Sequence, residues 1–278
     1  MRCMGLEQKV RIIPHRVDSA AFSLSLDRAL LKVMNAKVQR NEYVDPVLRT
    51  YQFSRPAVVM GFNQKVDGRF NEELANTLGV DLTVRDTGGG HMYFSPHDIH
   101  FAFIASRSLF RKNLIERYHA VNSIILNALR DSGYNAVFGR TSIRLDMHTH
   151  EKLLVGTAQR LASHTFLQHG AILITPYTSE IFALLMARED EIHKWNDHVV
   201  SLGELGVSFY QQLPQRIASS FQNSYRSELT TYELAHAHQL YSDVYSRKDK
   251  IYSGTKHGDI CLIAEELSTK DIEQEVAL

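Results

Sequence analysis

The feature that most constrains how this sequence folds is a run of three glycines, Gly88-Gly89-Gly90, directly after the strand-like segment 81–85. Glycine loses more backbone freedom on folding than any other residue, so three in succession become ordered only where something needs the bare main chain. Without Cβ atoms, such a segment lets a ligand lie against the backbone and turns N–H groups toward an anion. No Gly-Lys-Ser/Thr follows, as a phosphate loop would require, and the Gly-x-Gly-x-x-Gly spacing of dinucleotide folds is absent. Three glycines alone are equally explained by a flexible turn, so the rest of the chain has to decide.

Around the loop the hydrophobic pattern changes period repeatedly. Phe22, Leu26, Leu30 and Val33 recur at helical spacing, with Asp18 or Ser19 suited to cap the first turn, which predicts a helix over 18–38. Leu114, Tyr118, Val121, Ile125 and Leu129 predict a second helix, stopped by Gly133. Strands are expected at 10–13, 47–53, 57–60, 81–85, 100–105, 142–145, 153–158, 171–174 and 260–264. Further helices are expected at 71–78, 179–187, 217–225 and 232–245. Alternating strands and helices with short hairpin-like spacings predict an α+β domain over 1–225, followed by a small C-terminal helical appendage over 226–278.

Composition removes several function classes. Lys+Arg and Asp+Glu both number 31, so the broad positive field of sequence-independent nucleic-acid binding is missing, and no nucleic-acid partner is expected. Only Cys3 and Cys261 are present, too few for a disulfide framework or a four-thiolate zinc site, which points to a reducing compartment. No apolar run approaches a membrane span, and the first residues carry Arg2, Glu7, Lys9, Arg11 and Arg16. The expectation is a cytoplasmic protein without a membrane partner. The histidines, His148 and His150 among them, lack the carboxylate or thiolate spacing of a zinc site, so no metal ligand is assigned.

Arg85-Asp86-Thr87-Gly88-Gly89-Gly90 resembles the Arg-x-Thr-Gly-Gly-Gly signature of the lipoate–protein ligase family, which shares its catalytic fold with biotin protein ligases and octanoyltransferases. Four further blocks resemble that family in its order: 26–31 its first helix, Tyr51 with 58–64 the strand and turn beside its acyl pocket, 152–160 its lysine strand, and 168–173 its His-Gly strand. The resemblance covers about 18–205 and implies a mixed, mostly antiparallel sheet packed by helices, of the biotin/lipoate ligase type. It implies activation of lipoate or octanoate by ATP with Mg²⁺ to an acyl-adenylate, then transfer to a lysine of a lipoyl domain. The acceptors would be 2-oxoacid dehydrogenase E2 subunits or a glycine cleavage H-type protein. Joining a carboxylate to a phosphate requires cations that stabilise developing charge. By resemblance, Lys152 is the catalytic cation and Arg85 contacts the adenylate. Thr87, Gly88, Gly89, Gly90, Gly156, Thr157, Ala158, His169 and Gly170 line the substrate site.

The chain departs from the family pattern in ways that leave alternatives open. The family lysine precedes the glycine of its Lys-x-x-Gly pattern by three positions, whereas Lys152 precedes Gly156 by four. Successive side chains on a strand face opposite sides, so a β-bulge is needed to return Lys152 to the substrate face. The family histidine after the glycines is Phe94 here, and its Asn-Asp pair is Thr141-Ser142. An ATP-independent octanoyl or lipoyl transferase between carrier proteins, or a non-catalytic acyl- or carrier-binding module, are therefore the competing readings. A transferase working through a thioester needs a cysteine at the pocket, and neither Cys3 nor Cys261 lies in a matching motif. Trp195 is expected to be a packing aromatic.

Overall fold

A computed structural model of the chain describes residues 8–62, 64, 69–109, 113–206 and 209–246. Cys3, Cys261 and the strand expected at 260–264 lie outside the described residues. The chain begins with β1 (Val10–Asp18), helix α1 (Ala20–Gln39), β2 (Val47–Phe53) and β3 (Ala57–Met60), then α2 (Glu72–Leu78), β4 (Asp81–Val84), β5 (Met92–Phe94) and β6 (Ile99–Ser106). Helix α3 (Leu114–Arg130) leads into β7 (Ala136–Phe138), β8 (Ile143–Asp146), β9 (Glu151–Leu161) and β10 (Thr165–Ile172). Helices α4 (Ser179–Leu184), α5 (Glu189–His198) and α6 (Leu213–Ser219) follow, then β11 (Ser224–Arg226), α7 (Thr231–Leu240) and a π-helical turn at Tyr241–Tyr245.

Eight strands form one sheet in the order β11-β1-β2-β6-β10-β9-β8-β7, and β4-β3-β5 form a second, smaller one. In the large sheet the two pairings of β1 are parallel and the others antiparallel. The architecture is thus the mixed, mostly antiparallel α+β type. Strand β1 runs past Pro14, beyond the four residues expected, because the register shift between Ile13 and Arg16 falls where proline has no N–H to donate.

Ser19 caps α1 by accepting from the Phe22 amide, and Asn71 caps α2 by accepting from the Leu74 amide. Gly79 ends α2 at φ 64°, a left-handed stop. Helix α1 is buried nearly all round, since Leu24, Leu26, Leu30, Leu31 and Met34 are all covered. One side lies on the large sheet and the other is covered by α7, which explains a helix apolar on more than one face. At roughly 1.5–3 kcal/mol for each large side chain removed from water, this helix is a principal source of core stability.

Two expectations are corrected by the structure. The helix expected over 217–225 ends at Ser219, and Ser224–Arg226 instead pair with Val10–Ile12 as the outermost strand. The boundary expected at 225 falls inside that strand, and beyond it Ala237, Val244 and Tyr245 join the same buried cluster as α1. Strands β5 and β7 and helix α5 were not expected. No described helix is long and apolar enough to cross a membrane.

Candidate functional site

A cavity of about 220 Å³ opens between α1, the large sheet and the small sheet. Its apolar wall comes from Leu24, Phe53, Val59, Met92, Phe94 and Ala171. Gly88, Gly89 and Gly90 form one side, and Gly156, Thr157, Ala158, His169 and Gly170 line the facing strands β9 and β10. The segments singled out in the sequence as a loop, a lysine strand and a His-Gly strand therefore meet at one site.

The glycine loop is held by an unusually complete set of contacts. Arg85 donates to the carbonyls of Gly88 and Gly90 at 2.8 Å each and to that of Val59 at 3.2 Å. Burial lowers its pKa to about 10, still a cation at neutral pH. Asp86 pairs with Arg28 at 3.1 Å and accepts from the Tyr245 hydroxyl at 2.8 Å. Thr87 Oγ1 is 2.7 Å from His169 Nε2, whose Nδ1 is 3.1 Å from Asp27 Oδ2. Gly89 adopts φ 100°, and a Cβ on Gly61 would lie 2.0 Å from the Gly89 carbonyl oxygen, so the turn closes over a second bare backbone.

Beneath the cavity lies a charged network that sequence reasoning did not single out. Asp27 Oδ1 accepts from Arg49 at 2.5 Å and Oδ2 from the Tyr51 hydroxyl at 2.9 Å, with Arg49 fully buried. Burial alone would push the Asp27 carboxyl up, but Arg49, His169 and Tyr51 outweigh it and hold the carboxyl below the usual range. The visible signal was the pair Asp27-Arg28 inside an apolar helical run, two charges that must each find a buried partner. His100 lines the cavity stacked on Phe53 at 4.0 Å between ring centroids, and burial lowers its pKa to about 3, which keeps it neutral.

Lys152 stands elsewhere. A bulge does interrupt β9: Val155 pairs with Ile143 and Leu153 with Arg144, so Leu154 is the extra residue. Both Leu154 and Val155 turn into the core beneath the sheet, which puts Leu153 on the side of Gly156 and pairs Lys152 with the buried Leu145. The Lys152 amine donates to the Asn196 carbonyl at 2.7 Å, and the residue is not among those lining the cavity. The expected bulge is present and gives Lys152 the face that a residue three before Gly156 takes on a regular strand, yet its amine is engaged by the Asn196 carbonyl instead of the cavity. Thr157 donates its hydroxyl to the Thr141 carbonyl, fastening β9 to the turn before β8. Trp195 stacks on Tyr177 at 4.1 Å as packing.

A glycine-walled apolar cavity between a mixed sheet and a smaller one is the architecture implied by the sequence motifs, that of a ligase or transferase domain for small acyl acids. The chain belongs to the lipoyl protein ligase A/B catalytic domain family, whose model matches residues 19–222. An octanoyltransferase LipM of Carboxydothermus hydrogenoformans is 24% identical over 274 residues, covering 87% of this chain and 98% of that protein. Lipoate-protein ligase A subunit 1 of Thermoplasma acidophilum is 25% identical over 178 residues, covering 61% of this chain and 64% of that one. Among solved structures, the bipartite lipoate protein ligase of Thermoplasma acidophilum superposes with a TM-score of 0.75 at 18% identity, over 90% of this chain and 98% of that chain. A lipoate-protein ligase A bound with ATP superposes with a TM-score of 0.73 at 19% identity, over 89% and 100%. At these identities the superpositions establish the fold.

Proposed function

We propose that this chain carries an octanoyl or lipoyl group in the cavity and passes it from a carrier thioester to a lysine of a lipoyl domain, such as an E2 subunit or an H-type protein. The observation that carries the reading is the disposition of the two expected cations. The Arg85 guanidinium is committed to the carbonyls of Val59, Gly88 and Gly90, and the Lys152 amine lies off the cavity on the Asn196 carbonyl. An acyl-adenylate needs cations facing its phosphate, and the described residues around this cavity fit an ATP–Mg²⁺ complex poorly. A thioester presents a neutral carbonyl and makes no such demand. The octanoyltransferase relatives, matched over most of their length, favour the same reading.

The chain's own residues supply binding and orientation. Leu24, Phe53, Val59, Met92 and Phe94 hold the hydrocarbon, and the fixed loop Gly88–Gly90 bounds one side of it. The acyl carbon–sulfur bond breaks as the carbon–nitrogen bond to the acceptor lysine forms, and the thiol leaves with the proton the amine loses.

The test incubates the protein with an apo lipoyl domain and reads its intact mass. The donors are octanoyl-acyl carrier protein without ATP, and free octanoate or lipoate with and without ATP and Mg²⁺. A Lys152→Ala sample runs in parallel. Octanoylation from the carrier without ATP, retained in Lys152→Ala, is the expected result. Acylation only from free acid with ATP, lost in Lys152→Ala, would overturn it in favour of the ligase. Binding of the carrier without turnover would reduce the chain to a binding module.

A further inference from the structure

We propose that Tyr245 is a positioning residue for the glycine loop, so that the segment following α7 is a structural member of the cavity wall. Each of the three residues before the glycines is tied to a different part of the fold. Arg85 holds the loop to itself and to β3, and Thr87 holds it to β10 and α1 through His169 and Asp27. Asp86 is the one tied to the far end of the chain. Its two carboxylate oxygens are divided between the Tyr245 hydroxyl at 2.8 Å and Arg28 at 3.1 Å.

All three members of this junction are dry: Tyr245 is 1%, Arg28 2% and Asp86 8% exposed. A buried carboxylate that loses a hydrogen-bond donor has no water to replace it, so its position depends on both partners. Asp86 lies between Arg85 and Thr87, and its own carbonyl also accepts from Arg160 at 3.4 Å. A shift at Asp86 is therefore carried directly into Gly88–Gly90. Tyr245 cannot move independently of α1, because the turn that bears it packs on that helix.

That the loop binds an acyl chain rests on the proposed function, whereas the lock itself does not, and the experiment separates the two. Tyr245→Phe removes only the hydroxyl. Glu233→Gln is the control, since Glu233 fastens α7 to β1 through Arg11 at 2.6 Å and touches nothing at the loop. Hydrogen exchange is followed in peptides spanning 85–92, with β6 and β10 peptides reporting that the variant is folded. The acyl-donor KM and kcat are measured with octanoyl-acyl carrier protein. Tyr245→Phe is expected to speed exchange in 85–92 at least tenfold and to raise KM about tenfold with kcat within about twofold. Glu233→Gln is expected to lower the melting temperature with neither effect. Unchanged loop exchange in Tyr245→Phe, or equal KM shifts in both variants, would overturn the positioning role. If the unmodified protein transfers no acyl group, the functional reading falls and the exchange comparison alone decides the lock.

Discussion

Gly61→Ala tests how tightly the cavity wall is built. Nothing about the backbone at Gly61 forbids alanine, so the whole effect comes from contact. Its Cβ would sit 2.0 Å from the Gly89 carbonyl oxygen and 2.9 Å from the Gly89 carbonyl carbon, with Arg85 Nη2 at 3.3 Å. Real Cβ atoms do not approach heavy atoms within 3.0 Å, so the peptide of Gly89 must retreat by about 1 Å. The flanking carbonyls of Gly88 and Gly90 are each 2.8 Å from Arg85 Nη2, and a retreat of that size stretches at least one of them past bonding distance. Overpacking at about 1–3 kcal/mol and loss of one hydrogen bond to a half-buried cation at about 1.5–3 kcal/mol give a penalty of about 2.5–6 kcal/mol. For a domain of this size that is a melting-temperature drop of roughly 5–24 °C, read by calorimetry. Gly88→Ala, whose Cβ would have nothing within 4 Å, is the matched control and is expected to melt within about 2 °C of the unmodified protein. A Gly61→Ala protein that melts as the control does, with unchanged acyl-donor KM, would refute the reasoning.

Three more outcomes follow from buried groups. Asp27→Asn leaves the Arg49 guanidinium buried at 0% exposure without its carboxylate, at a cost of about 3–5 kcal/mol; a loss below 1 kcal/mol in urea titration would contradict this. Gly170→Ala drives a Cβ to 2.5 Å from the Gly156 carbonyl and 2.9 Å from the Phe101 ring, and is expected to lower the urea midpoint by about 1–3 kcal/mol equivalent, against no change if β9 and β10 can spread. Burial raises the Asp98 carboxyl to about 6 from 3.8, so the folded state holds the proton more tightly than the unfolded chain. Stability from this group is therefore greatest below pH ~4 and is lost as pH rises through about 6, by about 3 kcal/mol in total. Comparing unfolding free energies of the unmodified protein and Asp98→Asn at pH 4 and 7 should show that difference, and a pH-independent difference would sink it.

Much of the fold was legible because local signals and tertiary partners agree. Segments 47–53 and 57–60 are strands as expected, and Ser19 and Asn71 cap helices where their short polar side chains suggest. What failed to show was pairing. Met92–Phe94 and Ala136–Phe138 are too short to carry a period, and Ser224–Arg226 become a strand only because β1 offers a free side. At the site, residue types and order located the cavity wall, whereas the lysine's partner did not show. The four-residue step from Lys152 to Gly156 announced the extra residue at Leu154, but nothing in the spacing announced that the amine would turn to the Asn196 carbonyl. Asp27, Arg49, Asp86 and Tyr245 escaped for a different reason: their importance lies in partners 22 and 159 residues away.

The bond between Asp86 and Tyr245 also sets a clock on biosynthesis. A ribosome adding about 5–20 residues per second needs roughly 8–30 s to lengthen the nascent chain by the 159 residues that separate them. Until Tyr245 emerges, the glycines wait with their last tether unmade. A chain stalled before Tyr245 would expose an ordered sheet with an unfinished acyl wall, an open apolar hollow for chaperones to recognise.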